Sequence, residues 1–395
     1  MTDRIVITGI GIISPIGTGK ENFWQNLLAG ANGFRPITLF DTVRYRTKLA
    51  AEITDFNPKI YLGSKGLRYF DRVSLLITSA AKLAVQDGNL EGIYQPDDVG
   101  AVIGSTFGSI NSISSFDLEA LREGPNYVSP MDFPNTVLNA PAARVAIQFE
   151  MKGLNSTISN AETSSLDAMQ YAADFLRLNR VKALLVGGAY ALTPDTYWGF
   201  YESKALSGSV EGDEEICAPF DSLHNGIILG EGAAVMSVET ESFAKNRGAH
   251  IYGQISGYGN VFNPNPESDD SEWINAGRRA IKQALDEANL KPEDISLILS
   301  GANSSPKMDR VQTEIIKEVF GPVASEIPVS ALKAQTGECL DATGAFQTVA
   351  ALMAINSGQL PPIVKGKGSA EIKHVLITGS SFTGNSSALI ISAPA

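Results

Sequence analysis

The sequence predicts an α/β protein that uses one strand–helix unit twice, and three observations carry this. Short β-branched runs closing on glycine alternate with segments of helical apolar spacing. Three such segments recur in unchanged order at offsets of 200, 196 and 191 residues. The chain has 395 residues, 44% hydrophobic and 19% charged, which is ample material for a packed core of more than one lobe.

Arg4–Gly11 (RIVITGIG) reads as the first buried strand. From Asp71 to Asn89, Val73, Leu76, Ile77, Ala80, Leu83 and Ala84 fall on one helical face. Asp98–Gly104 (DVGAVIG) is a second strand. The tail of that helix, Ala84–Leu90 (AVQDGNL), returns as Ala284–Leu290 (ALDEANL), and Pro96–Ser105 (PDDVGAVIGS) returns as Pro292–Gly301 (PEDISLILSG). Val181–Gly188 (VKALLVGG) returns as Ile372–Gly379 (IKHVLITG). Each of the last pair follows an amphipathic segment, about Ser164–Leu178 and about Asp341–Ile355. The expected halves are 1–245 and 246–395. Extra polar and aromatic stretches at about 106–149 and 190–222 read as insertions covering a site or a partner. Asn263–Glu272 and Val364–Ser369 read as loops.

Composition excludes several function classes. A net charge of −12 leaves no general attraction for nucleic acid. Two cysteines exclude a disulfide framework, and with three scattered histidines they make neither a metal site nor a bound cofactor expected. No window is apolar enough to cross a membrane, and the opening residues lack a secretory pattern, so the expected setting is the cytosol. Gly9-Ile10-Gly11 lacks the third glycine of a dinucleotide fingerprint, because Ser14 stands there. Gly19-Lys20 lacks the remainder of a phosphate loop. No hydrolase triad is visible around His224, His250 or His374.

Longer motifs carry a resemblance. IVITGIGIISPIG, Phe23-Trp24, Ala50–Pro58 (AAEITDFNP), Arg68–Arg72 (RYFDR), Ala218–Glu239 (APFDSLHNGIILGEGAAVMSVE), Lys333–Gly344 (KAQTGECLDATG) and Ser381–Ile390 (SFTGNSSALI) span the chain. Together they resemble the elongating β-ketoacyl-acyl-carrier-protein synthases. The resemblance implies the thiolase fold, a duplicated five-layer α/β/α/β/α architecture. It also implies a reaction centre of one cysteine and two histidines supported by a lysine.

This sequence departs from that pattern at the centre. Where the family reads Ser-x-Ala-Cys, the chain has Ser159-Asn160-Ala161-Glu162. Asn303 replaces the first histidine and Glu338 the second, while Lys333 remains. Gln347 stands for the lysine's usual glutamate neighbour, and the terminal loop keeps its gating Phe382. No catalytic residue is therefore expected. Glu162 and Glu338 should face one small cavity with Lys333 as the nearby cation, so one carboxyl should hold its proton. Either Lys333 pairs with Glu162 or Glu338 in a structural network, or one carboxylate points to solvent. Cys339 reads as a small buried hydrophobe and Cys217 as non-catalytic.

Family members without the cysteine act as chain-length factors, so the resemblance implies a non-catalytic subunit. It would pair with a Cys-His-His ketosynthase as a heterodimer and shape the chain-elongation tunnel in bacterial type II polyketide or fatty-acid-like biosynthesis. Phe107, Ile110, Ile113 and Phe116, spaced by three, suggest one helical face, either a tunnel wall or plain core. Phe133 lies in the segment (Pro130–Ala143) that reaches across the dimer in this family. The acyl-carrier protein, itself acidic, is expected to dock mainly on the partner. Two enzyme readings compete: a malonyl-carrier decarboxylase, and an acid–base reaction using Glu162 with Glu338.

Overall fold

The computed structural model describes residues 3–265, 267, 269–367 and 371–394. In the first half, β1 (Ile5–Ser14) is followed, past a shorter helix Lys20–Leu28, by α1 (Arg72–Asp87), β2 (Val99–Gly104), α2 (Ile110–Glu123), α3 (Ala140–Gln148) and β3 (Asn155–Ile158). Next come α4 (Ser164–Arg177), β4 (Ala183–Tyr190), α5 (Pro194–Glu202) and β5 (Gly232–Thr240). The second half contains β6 (Gly253–Phe262), α6 (Asp270–Ala288), β7 (Leu297–Leu299), α7 (Pro306–Phe320) and β8 (Val329–Ser330). It ends with α8 (Thr343–Ser357), β9 (His374–Ser380) and β10 (Asn385–Ser392).

Strand order runs β3-β2-β4-β5-β1 in one half and β8-β7-β9-β10-β6 in the other, the same order twice. In each half the first three of these strands are parallel and the rest antiparallel. The halves join edge to edge where Ile5–Ile7 of β1 pairs with β6. The central apolar cluster holds α4 and α8 residues such as Leu166, Met169, Phe346 and Val349 together with strand residues of both halves. A second cluster packs α1 on the outer face of the first half, and a third packs α6 and α7 on the second. Five alternating layers result.

The repeat extends to backbone contacts. On β1, a Cβ at Gly9 or Gly11 would meet the Ala84 or Ala80 carbonyl of α1 at 2.5 or 1.9 Å. On β6, a Cβ at Gly257 or Gly259 would meet Ala284 or Ala280 of α6 at 2.1 Å in each case. Only glycine lets the helix press so closely on the strand.

Most expected elements lie within a few residues of their positions. β1 runs to Ser14, beyond Gly11, because Ile12 and Ile13 are fully buried. Asp71 caps α1 by accepting the Ser74 N–H. The expected loop Asn263–Glu272 is shorter than that reading, since Asp269 caps α6 and the helix begins at Asp270. Its positions 266 and 268 lie outside the described residues, as do 368 and 369 of the second expected loop. The stripe Phe107, Ile110, Ile113 and Phe116 is not one helical face, because Phe107 precedes α2. Nor is it core: α2 has no buried residue, and Phe116 packs against the exposed Phe133 with ring centres 6.0 Å apart.

Candidate functional site

The site lies where the two central helices begin. β3 leads through a 3₁₀ turn, Ala161–Thr163, into α4; in the second half a matching turn, Leu340–Ala342, leads into α8. Both turns start on a non-glycine residue with positive φ, Ala161 at 50° and Leu340 at 43°. The residue that follows each is a buried acid, Glu162 in the first half and Asp341 in the second.

Glu162 borders a cavity of about 310 Å³ that Asn303, Lys204, Asn225, Lys307 and Phe382 also line. Its Oε2 accepts the Phe382 N–H at 3.2 Å. Burial first, then the nearby Glu338 carboxylate, push the Glu162 carboxyl up to about 8, with Lys333 acting in the opposite sense. The proton is thus held at neutral pH.

Glu338 does not face the cavity, contrary to the sequence expectation. It lies behind Asn303, 1% exposed, and every oxygen is occupied. Oε2 accepts Lys333 Nζ at 2.7 Å and Asn303 Nδ2 at 3.1 Å. Oε1 accepts the Leu340 N–H at 3.1 Å and the Thr343 hydroxyl at 2.9 Å, which ties it to the start of α8. Lys333, buried as well, also donates to the Gly301 carbonyl at 3.0 Å. The lysine therefore pairs with Glu338 and not with Glu162. Gln347 donates instead to the Ser300 carbonyl at 3.0 Å and to the Leu299 carbonyl at 3.2 Å.

Asn303 is set by its backbone. Its N–H and that of Ser304 donate to Asp309 Oδ1 at 3.0 and 3.1 Å, and Asp309 Oδ2 contacts His224 Nδ1 at 2.8 Å. No histidine lines the cavity among the described residues. His224 belongs to the Asp309 cluster, His250 packs on Tyr252, and His374 meets the Ser392 hydroxyl. The two thiols are not nucleophiles in waiting. Burial pushes Cys217 up to about 12 and Cys339 well above the ordinary thiol range.

A second, more open cavity of about 500 Å³ adjoins the first and is lined by Phe107, Ile110, Thr196, Gly199, Phe200 and Phe382 among others. Phe200 and Phe382 border both cavities and meet edge to face at 6.0 Å. Of the residues expected at a tunnel wall, Phe107 and Ile110 lie here. Ile113, Phe116 and Phe133 do not line it.

Two residues of this region were missed in the sequence. Asp341 is buried and its carboxyl is raised to about 6 by burial. The Thr106 hydroxyl donates to it at 2.6 Å and accepts the Ala161 N–H at 2.7 Å, so one side chain ties the two turns together. The signal was present: extending the repeat to the helices places Asp341 opposite Glu162 at an offset of 179.

The chain is thus a twice-used α/β unit with paired helix starts at its centre. The chain matches the model of the β-ketoacyl synthase N-terminal domain over residues 2–244 and that of the C-terminal domain over 252–367. It is 34% identical to 3-oxoacyl-[acyl-carrier-protein] synthase 2 of Coxiella burnetii over 91% of this chain and 88% of that protein. It is 32% identical to the protein of that name in Synechocystis over 91% of this chain and 87% of that one. Among solved structures, the ishigamide ketosynthase/chain length factor superposes with a TM-score of 0.88 at 28% identity, with full coverage of both chains. A type II polyketide synthase acyl-carrier protein in complex with its ketosynthase gives a TM-score of 0.86 at 25% identity, again with full coverage of both. The chain belongs to the β-ketoacyl synthase family, and its fold is the thiolase-type duplicated α/β fold.

Proposed function

We propose that this chain is a non-catalytic ketosynthase-like subunit of the chain-length-factor kind. It pairs with a Cys-His-His ketosynthase and shapes the space into which the partner's chain grows. The observation that carries this reading is Glu162 at the start of α4, a carboxyl that keeps its proton where a thiolate would be needed. A protonated carboxyl lacks the anion that would attack a thioester, and it cannot form the thioester that a cysteine forms. Asn303 and Glu338 stand in place of the two imidazoles, and Glu338 is already held by Lys333. Loss of a nucleophile alone costs many orders of magnitude in rate.

The apolar cavity beside Phe107, Ile110 and Phe382 suits a growing chain, and the carrier protein docks mainly on the cysteine-bearing subunit. The decarboxylase alternative is disfavoured, because no imidazole lines the cavity among the described residues to stabilise a forming enolate. Two experiments test the proposal. Co-expression with a Cys-His-His ketosynthase from the same source should yield a stable complex. The chain alone, given acyl- and malonyl-carrier protein, should show no acyl adduct by intact mass and release no carbon dioxide. Acylation followed by elongation would overturn the proposal, and carbon dioxide release without acylation would select the decarboxylase.

A further inference from the structure

A separate hollow of about 300 Å³ opens between the C-terminal ends of α1 and α3. Val99, the first residue of β2, lines it, whereas Thr106, which bonds the Ala161 N–H, lies just past the other end of that strand. The length of β2 puts about 17 Å between them. Both helices finish in the same way. The Leu90 N–H donates to the Val85 carbonyl at 3.0 Å and the Met151 N–H to the Ala146 carbonyl at 2.9 Å, each reaching back five residues. The residue before each donor is left-handed, Asn89 at φ 49° and Glu150 at φ 53°. Leu90 and Met151 then line the hollow with Val85, Val99 and Phe149 as an apolar floor. Tyr94 also lines it, and because its hydroxyl is taken by Glu239, it offers a guest its ring.

The rim of this hollow is acidic. Glu91 and Glu150 line it, both exposed, and no lysine, arginine or histidine does so among the described residues. Glu91 pairs with Lys82, and Lys152 lines an adjoining surface hollow instead. The carbonyl ends of the two helices add partial charge of the same negative sign. Glu150 itself stands at a left-handed position that glycine or asparagine ordinarily takes. We infer that the hollow binds an amphipathic monocation, an aryl- or alkylammonium ion: its apolar body lies on Leu90, Phe149 and Met151, and its ammonium group meets Glu150 and Glu91. A neutral molecule of the same shape gains the floor but not the rim, and an anion is repelled by the rim. The site shares no residue with the cavities around Glu162, so it stands whether or not the chain is catalytic.

The test uses the full-length chain at low salt and neutral pH with three probes of one shape: tryptamine, the neutral tryptophol and the anion indoleacetate. Ligand-observed NMR titration should give tryptamine a Kd of about 1 mM or tighter. Tryptophol should bind about fivefold more weakly, and indoleacetate should not bind. In the double variant Glu91→Gln, Glu150→Gln, tryptamine and tryptophol should bind alike; both residues are exposed, so the variant keeps its fold. Glu267→Gln removes the acid that lines both cavities near Phe382 and should leave the affinity for tryptamine unchanged. Four results would each overturn the proposal. These are no tryptamine binding at about 5 mM, five times the weakest expected Kd, or equal affinity for tryptamine and tryptophol in the unaltered chain. The others are a preference for tryptamine that survives in the double variant, or one that is lost in Glu267→Gln.

Discussion

The starts of α4 and α8 occupy equivalent places in the two halves, yet they are finished differently. Each has a strained residue and then a buried acid, Ala161-Glu162 in one and Leu340-Asp341 in the other. Around α8 the polar groups are closed off: Thr106 satisfies Asp341, and Glu338, gripped by Lys333, caps the Leu340 N–H and the Thr343 hydroxyl. Around α4 the acid faces a cavity, and Ser159, the counterpart of Glu338, is exposed. The difference teaches that duplication supplied two turns of one geometry and that partner groups made one a structural node and the other an opening. The same polar chemistry stabilises where every atom is paired and invites ligands where it is not.

The contrast can be broken by removing its strongest member. Glu338→Ala leaves Lys333 buried without a counter-ion and should cost about 3–5 kcal/mol by urea denaturation. Ser159→Ala should change stability by less than about 0.5 kcal/mol. Similar losses for the two would mean that both turns are structural. Thr106→Val probes the link between them, because it leaves the Ala161 N–H and Asp341 without their shared hydroxyl. A loss of about 2 kcal/mol is expected, and a neutral result would show that the turns are independent.

The pH dependence separates the acids. Both carboxyls are raised in the fold, Asp341 from 3.8 to about 6 and Glu162 from 4.5 to about 8. The folded state then binds more protons than the unfolded chain between each pair of values, so stability falls as pH rises through each window. Asp341→Asn should flatten the fall between about pH 4 and 6, and Glu162→Gln that up to about pH 8. Both slopes are measured by denaturation at a series of pH values. Wild-type slopes in both variants would show that neither acid titrates there. The smallest effect is at Ala161, where glycine relieves φ 50° but gives up a buried methyl, so Ala161→Gly should change stability by less than about 1 kcal/mol by urea denaturation.

Much of this molecule was legible beforehand because local pattern reports burial directly. The repeated strands and the central helices follow from apolar spacing and glycine stops, and Glu162, Asn303 and Glu338 were found by their places in motifs. What was misread depended on neighbours remote in sequence. Phe107–Phe116 showed a periodic stripe, but α2 has no layer to bury it. Glu338 was expected to face the cavity and instead lies behind Asn303. Thr106 was passed over because a lone threonine after a strand has no distinctive spacing.

By itself the sequence determined that the chain repeats one α/β unit and that no thiol or imidazole stands at the start of α4, since residue type and order need no third dimension. Tertiary structure alone decided that Lys333 takes Glu338 and leaves Glu162 protonated beside an open cavity. Two acids competing for one buried cation are separated only by distance and desolvation, and both are properties of the folded space around them.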